Sequence, residues 1–165
     1  MTKRERILRA AYYAVLALPI AFASIGVRAR VTRRVFREPF ELRAPSPWRT
    51  ALHTLLAAAI GLLSWFAVVL AVVALLRGAF YPLIAGNDLE NSWGGPSLAG
   101  TWAVHAALGV GLFPLWSLPL AAFGIVQRGL SQRLLSRTGP WWPLPVSLLL
   151  FAGGAAFFIA WLHQA

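Results

Sequence analysis

The sequence contains no cysteine and only five acidic residues among 165. Without cysteine the chain forms no disulfide, has no thiolate nucleophile and builds no cysteine metal site. The three histidines, His53, His105 and His163, are not spaced as zinc ligands either. We therefore expect no metal, no cofactor and no catalytic residue, and we predict that the chain is not an enzyme.

Charged residues of either sign are scarce, at 12% of the chain, whereas a soluble domain carries roughly 25%. Two long stretches, residues 51–76 and 91–127, hold no charged residue at all. Because about 20 consecutive apolar residues span the bilayer core, the sequence predicts an all-α integral membrane protein.

Four hydrophobic helical segments are predicted, at about residues 10–27, 50–76, 97–126 and 141–162. Short loops join them, so we expect one helix bundle and a single membrane domain over residues 1–165. In the last segment Ala152, Ala156 and Ala160 recur every four residues, which is typical of a helix-packing face.

The first segment admits two other interpretations. It resembles a signal peptide, with a basic start and Ala21-Phe22-Ala23 as a cleavage site, but the arginines that follow would hinder export. It could also enter the membrane and return near Pro19, which requires other protein to bury its turn. We expect a full span here, and the side of the amino terminus stays open.

The net charge of +10 comes from arginines between the apolar segments. This arrangement is typical of cytoplasmic loops, and it argues against nucleic acid as a partner. A basic interfacial helix is predicted over about residues 28–38. Arg30, Arg33, Arg34 and Arg37 form one face, opposite an apolar strip of Val27, Val31 and Val35. The basic cluster either binds anionic lipid or serves only as a topology signal.

The same arginines predict the orientation. The loops at 28–50 and 127–140 are the basic ones, while the 77–97 loop holds only Arg77. We expect the first two loops in the cytoplasm and the third outside, in a multi-pass protein of a bacterial cell membrane.

A few polar and aromatic residues are candidates for an outer-surface or sensory site. Asp88 and Glu90 could bind a cation from the outer loop or form a solvated acidic loop. Trp93 and Trp102 could line a pocket or anchor the interface. His105 lies within the third segment, where it either senses a signal or bonds a neighbouring helix. We expect His53 near the interface.

Residues 93–106, which read Trp-Gly-Gly-Pro-Ser-Leu-Ala-Gly-Thr-Trp-Ala-Val-His-Ala, together with Phe80-Tyr81-Pro82-Leu83, resemble the actinobacterial sensor domain. That membrane module usually precedes a histidine kinase. The likeness covers roughly residues 45–139, and it leaves out the last segment and the second limb of the family's first hairpin. We expect no kinase region here.

The resemblance implies a sensor-like or regulatory membrane module that acts through a partner protein such as a histidine kinase, in two-component signalling. An accessory subunit of a transporter or other membrane complex would use the same small-residue faces. An intramembrane enzyme or carrier is the third class, but it needs more polar residues at bilayer depth than His105. The sequence predicts no oligomeric state.

Overall fold

The computed structural model describes residues 2–84, 89 and 92–163. Within these residues the chain is helical and contains no strand. The predicted all-α class is therefore confirmed. Asp88 and Glu90 lie outside the described residues.

The described residues form seven α-helices. They are α1 (Lys3–Ala21), α2 (Ile25–Phe36), α3 (Pro47–Ala79), α4 (Tyr81–Ile84), α5 (Leu98–Ala106), α6 (Ser117–Ser131) and α7 (Pro143–Leu162). π-helical segments follow α5 at Ala107–Gly111 and α6 at Gln132–Ser136, and a 3₁₀ turn at Phe113–Trp116 precedes α6.

A capping box starts α1. The backbone N–H of Glu5 donates to Thr2 Oγ1, and the N–H of Thr2 donates back to the Glu5 carboxylate. The Thr2 N–H lowers the pKa of the Glu5 carboxyl group. After α1 ends, Ser24 lies in extended backbone and begins α2. The predicted segment 10–27 is therefore divided between two helices.

The basic helix predicted over residues 28–38 is observed as α2, Ile25–Phe36. Arg37 follows it in the left-handed region, with φ of 54°, and Pro39 stands two residues later. A left-handed residue commonly ends a helix, and the residue before a proline avoids the helical region. Both effects stop α2 at Phe36.

The third predicted segment extends further than we expected. Helical structure runs from Leu98 to Ser136, so most of the predicted 127–140 loop is helix, which corrects that prediction. The arginines that indicated a loop are exposed or partly buried, but Gln127 and Ser131 between them are buried, and Ser131 donates to the carbonyl oxygen of Gln127 within the helix. Pro114, which has no N–H to donate, lies in the 3₁₀ turn where the regular α-helix is interrupted.

Three helices are long and apolar enough to cross a membrane. They are Pro47–Ala79, Leu98–Ser136 and Pro143–Leu162. The sequence predicted a fourth at residues 10–27, but that segment turns at residues 22–24. Proline at the first position of α3 and of α7 suits a helix start, where its missing N–H costs nothing.

The chain divides into two compact units, Met1–Trp65 with Ser117–Ala165, and Phe66–Trp116. In the first unit, α1, α2 and α6 share a core, and α3 packs with α6 and α7 in a second one. The first core contains Ala10, Ala11, Tyr13, Ile20, Phe36 and Ala121. The second contains Leu56, Ile60, Val126, Leu130 and Leu134.

Two glycines let α1 approach its neighbours closely in the first unit. A side chain at Gly124 of α6 would meet the backbone of Ala10. A Cβ atom at Gly61 of α3 would lie only 2.7 Å from the Cα of Leu18. Such contacts between backbones are typical of packed membrane helices, and they hold α1 against both α3 and α6.

In the second unit a pair of glycines faces each other. A Cβ atom at Gly78 would lie 2.8 Å from the Cα of Gly109, and one at Gly109 would lie at the same distance from Gly78. Gly109 belongs to the π-helical segment Ala107–Gly111. This close approach packs the end of α3 against the helix that carries His105.

Candidate functional site

Five buried polar side chains from four helices meet in the first unit. Each is at most 5% exposed. We call this cluster the polar ring, and it consists of Tyr13 of α1, Arg28 and Thr32 of α2, His53 of α3 and Ser131 of α6. Since buried polar groups lose stability unless they are hydrogen-bonded, the partners of each side chain decide what the ring can do.

Arginine fixes the direction of the hydrogen bonds on one side of the ring. Arg28 Nη1 lies 3.0 Å from His53 Nδ1, and because a guanidinium can only donate, Nδ1 must accept. The imidazole is then neutral, with its hydrogen on Nε2. That nitrogen lies 3.0 Å from Ser131 Oγ and donates to it.

The other side of the ring is formed by hydroxyl groups. Thr32 Oγ1 donates to the carbonyl oxygen of Arg28 at 2.9 Å, so it accepts from Tyr13 Oη at 2.6 Å. Ser131 Oγ lies 3.3 Å from Tyr13 Oη and 3.0 Å from the Gln127 carbonyl oxygen. The Ser131 hydroxyl can therefore turn between two acceptors, and when it turns to Tyr13 the ring is closed.

Arg28 is a buried cation, and no carboxylate in the described part of the chain lies within ion-pair distance of it. Its Nε donates to the carbonyl oxygen of Ala23 at 2.8 Å, and Nη1 also donates to Thr54 Oγ1 at 2.9 Å. Burial lowers the pKa of Arg28, yet an arginine remains protonated in proteins. Among the described residues nothing accepts from Nη2.

An apolar groove lies beside Arg28. Its volume is about 770 Å³, within the usual range for ligand pockets. The lining comes from the turn after α1, the link before α3 and the first turns of α3. These residues are Phe22, Ile25, Pro45, Pro47, Thr50, Ala51, Thr54, Leu55 and Ala58. Thr54 belongs both to this lining and to the contacts of Arg28.

The predicted basic cluster lies on the surface. Arg30, Arg33, Arg34 and Arg37 are all exposed. The opposing strip is different from the prediction, because Val27 is exposed and Val31 and Val35 are only partly buried. The buried face of α2 is formed by Arg28, Ala29, Thr32 and Phe36 instead.

The residues proposed for the outer surface come together only in part. His105 stacks on Tyr81 with ring centroids 3.6 Å apart, and its Nδ1 donates to the Thr101 carbonyl oxygen of its own helix. Trp102 is half exposed and donates from Nε1 to the Ala79 carbonyl oxygen. Trp93 is 75% exposed. Over the described residues no three metal-ligating side chains cluster.

The sequence analysis did not find the polar ring. His53, which we expected near the interface, is buried among protein groups at 1% exposure, and these contacts were not predicted. Arg28 lay within the basic loop predicted at residues 28–50, but its burial on the opposite side of α2 from the exposed arginines was not predicted. A signal was present, since Arg28, Thr32 and Phe36 recur every four residues and so share one face.

What the ring can do chemically follows from its groups. A neutral imidazole, a serine and a tyrosine in hydrogen-bond contact can exchange protons, but no carboxylate among the described ion pairs orients the histidine. The ring therefore joins four helices and holds one uncompensated cation. No protein family, curated protein or solved structure matches this chain.

Proposed function

We propose that this protein is a multi-pass membrane module of sensor or regulatory type that acts through a partner protein and catalyses no reaction itself. The observation that carries the proposal is the polar ring. Its hydrogen bonds join α1, α2, α3 and α6, so a shift of any one helix changes the hydrogen-bond partners on two of the other three. A buried network of this kind favours specificity of arrangement more than stability.

The open face of α7 supports a protein partner. Only 6% of its most apolar stretch is buried within the chain, and Ala152, Gly153, Ala156 and Ala160 are all exposed. No atom of the described residues lies within 4 Å of a Cβ built at Gly153. Small residues let a second helix approach closely in a membrane.

The orientation belongs to the same proposal. With the loop after α3 outside the cell, the long helices leave the α2 region and the 137–142 link in the cytoplasm. The apolar part of α1, residues 10–21, is about 18 Å long at 1.5 Å per residue, which is shorter than the bilayer core. We therefore infer that α1 packs against the other helices of the bundle and does not cross the bilayer as a fourth full span.

Four full spans would place the basic residues at the start of α1 outside the cell, against the positive-inside rule, and this placement avoids that. Arg9 Nη1 donates to the carbonyl oxygen of Val35 at 3.0 Å, so the start of α1 lies beside the end of α2. The basic residues Lys3, Arg4 and Arg6 are then on the same side as the arginines of α2, as the positive-inside rule requires.

Photo-crosslinking in cells tests the proposal. A photoreactive amino acid at Ala156, on the open face of α7, should capture a membrane protein. The same group at Val146, which packs into the second core, is the matched control and should crosslink only within the chain. A histidine kinase at position 156 supports sensing.

Capture of a transporter component at position 156 would favour the alternative, an accessory subunit of a transport complex. Deletion of the gene should then change transport and leave the phosphorylation of response regulators as it was. If position 156 captures only lipid, the partner model is wrong.

A further inference from the structure

The apolar groove and the buried cation Arg28 share one wall. Thr54 lines the groove, and its hydroxyl accepts a hydrogen bond from Arg28 Nη1 at 2.9 Å. Arg28 itself is buried, with only 5% of its surface exposed. Arg28 is not part of the lining itself, but its positive charge lies one hydrogen bond beyond Thr54, next to a groove whose surface is almost wholly apolar.

The guanidinium of Arg28 can donate further hydrogen bonds to an anion. Nη1 and Nε of Arg28 are occupied by His53, Thr54 and the Ala23 carbonyl oxygen. Nη2 has no acceptor in the described part of the chain, and both of its hydrogens are free. A buried guanidinium without a counter-charge is costly, so an anion there would be stabilised strongly.

The groove also determines what kind of molecule carries the anion. A free phosphate or a nucleic acid offers nothing to fill an apolar lining of leucine, isoleucine, phenylalanine and proline. The groove is open and lies along the first turns of α3, just past the exposed Trp48. Tryptophan at such a position is typical of the headgroup level of a membrane.

We propose that the groove binds the acyl chain of an anionic phospholipid and that Arg28 holds the phosphate of its headgroup. The planar guanidinium suits phosphate oxygens better than an ammonium does. Thr54 and His53 orient the guanidinium, because both accept hydrogen bonds from Nη1. The bound lipid neutralises the one buried charge of the polar ring that no carboxylate compensates.

Lipid binding to the purified full-length chain tests the site. The protein is delipidated in detergent, and phosphatidylglycerol or phosphatidylcholine is added at about 0.5 M NaCl, which screens the exposed arginines. Native mass spectrometry counts bound lipids, and thermal unfolding reports their stabilisation. Phosphatidylglycerol should bind in preference to phosphatidylcholine, at one molecule per chain.

Three variants separate the parts of the site. Arg28→Gln should weaken phosphatidylglycerol binding about tenfold, because it removes a charge-assisted hydrogen bond. Ala51→Trp should weaken it similarly by filling the groove without touching Arg28. Arg30→Gln, a surface arginine of the same helix, is the matched control and should keep binding within about twofold.

Several outcomes would overturn the site. They are equal binding of the two lipids, unchanged binding by Ala51→Trp, or displacement of the lipid by inorganic phosphate, which would indicate a free-anion site. If Arg28→Gln does not fold, Arg28→Lys keeps the charge. Arg28→Lys should then retain the preference for phosphatidylglycerol at reduced affinity. If Ala51→Trp does not weaken phosphatidylglycerol binding, the groove is not the lipid site.

Discussion

Arg28 and His53 form a hydrogen bond of 3.0 Å in which the arginine donates from Nη1 and the imidazole accepts at Nδ1. One basic side chain thereby fixes which nitrogen of the other carries its hydrogen. Because Nε2 must then donate, Ser131 is the acceptor on the far side. A contact between α2 and α3 thus determines a contact between α3 and α6.

Replacing His53 tests the polar ring. His53→Leu should lower the free energy of unfolding in detergent by about 1–3 kcal/mol, because Arg28 and Ser131 both lose a partner inside the protein. His53→Gln keeps one acceptor and one donor and should cost less. The control is Ser64→Ala on the same helix, whose hydroxyl bonds only the carbonyl oxygen of Ile60 one turn away.

Equal stability of His53→Leu and Ser64→Ala would show that the ring does not hold the helices together. Denaturation in mixed micelles, followed by circular dichroism, is suitable for all three variants.

Gly124 is expected to be the least tolerant glycine of the first unit. In Gly124→Ala the new methyl group meets the backbone of Ala10, so α1 must move away from α6, at a cost of about 1–3 kcal/mol. Gly153→Ala is the matched control, since the space around that position is open. It should leave stability unchanged or raise it slightly. Similar losses in both variants would contradict the close packing of α1.

Cysteine accessibility tests the orientation, because the chain has no native cysteine. Single cysteines replace four exposed residues, Lys3, Ala44, Pro96 and Thr138. An impermeant thiol reagent on intact cells should label position 96 alone, and the other three only after the membrane is opened. Labelling of position 3 in intact cells would show that the amino terminus is outside and that the first segment crosses the membrane as a fourth span.

The stack of His105 on Tyr81 predicts a packing role for that histidine. His105→Phe keeps an aromatic ring and should be nearly as stable as the native protein. His105→Ala should lower the free energy of unfolding by about 0.5–1.5 kcal/mol through the lost ring stacking, in addition to the effect of the smaller buried apolar area. The measurement is thermal unfolding at several pH values and with added zinc. A response to pH or metal that disappears in a folded His105→Phe would make His105 a sensor and refute the packing role.

The sequence predicted the long apolar helices because composition alone determines them. Residues 51–76 lie wholly within α3, and α7 starts at Pro143, beside the predicted start at 141. Such stretches are stable in a bilayer only as helices, since each backbone N–H or C=O group without a hydrogen bond costs several kcal/mol there. These helices can therefore be predicted from local composition, without knowledge of any tertiary contact.

The end of the third helix and the polar ring could not be predicted in this way. Arg128, Arg133 and Arg137 indicated a cytoplasmic loop, yet Ser131 between them is buried because Tyr13 and His53, distant in sequence, supply its partners. Likewise Arg28 belongs to a run of arginines, and only its contact with α3 separates it from them. Pairings over 78 and 118 residues leave no local pattern.

The separation of these partners along the chain has a consequence for biosynthesis. Arg28 is made before His53, and Ser131 follows His53 by 78 residues. When α2 leaves the ribosome, its buried arginine has neither acceptor, and a charged side chain does not enter hydrocarbon alone. We expect the nascent α2 to wait at the membrane surface until α3 and then α6 are inserted. Helices α1 and α2, although synthesised before α3 and α6, would reach their final positions only after them.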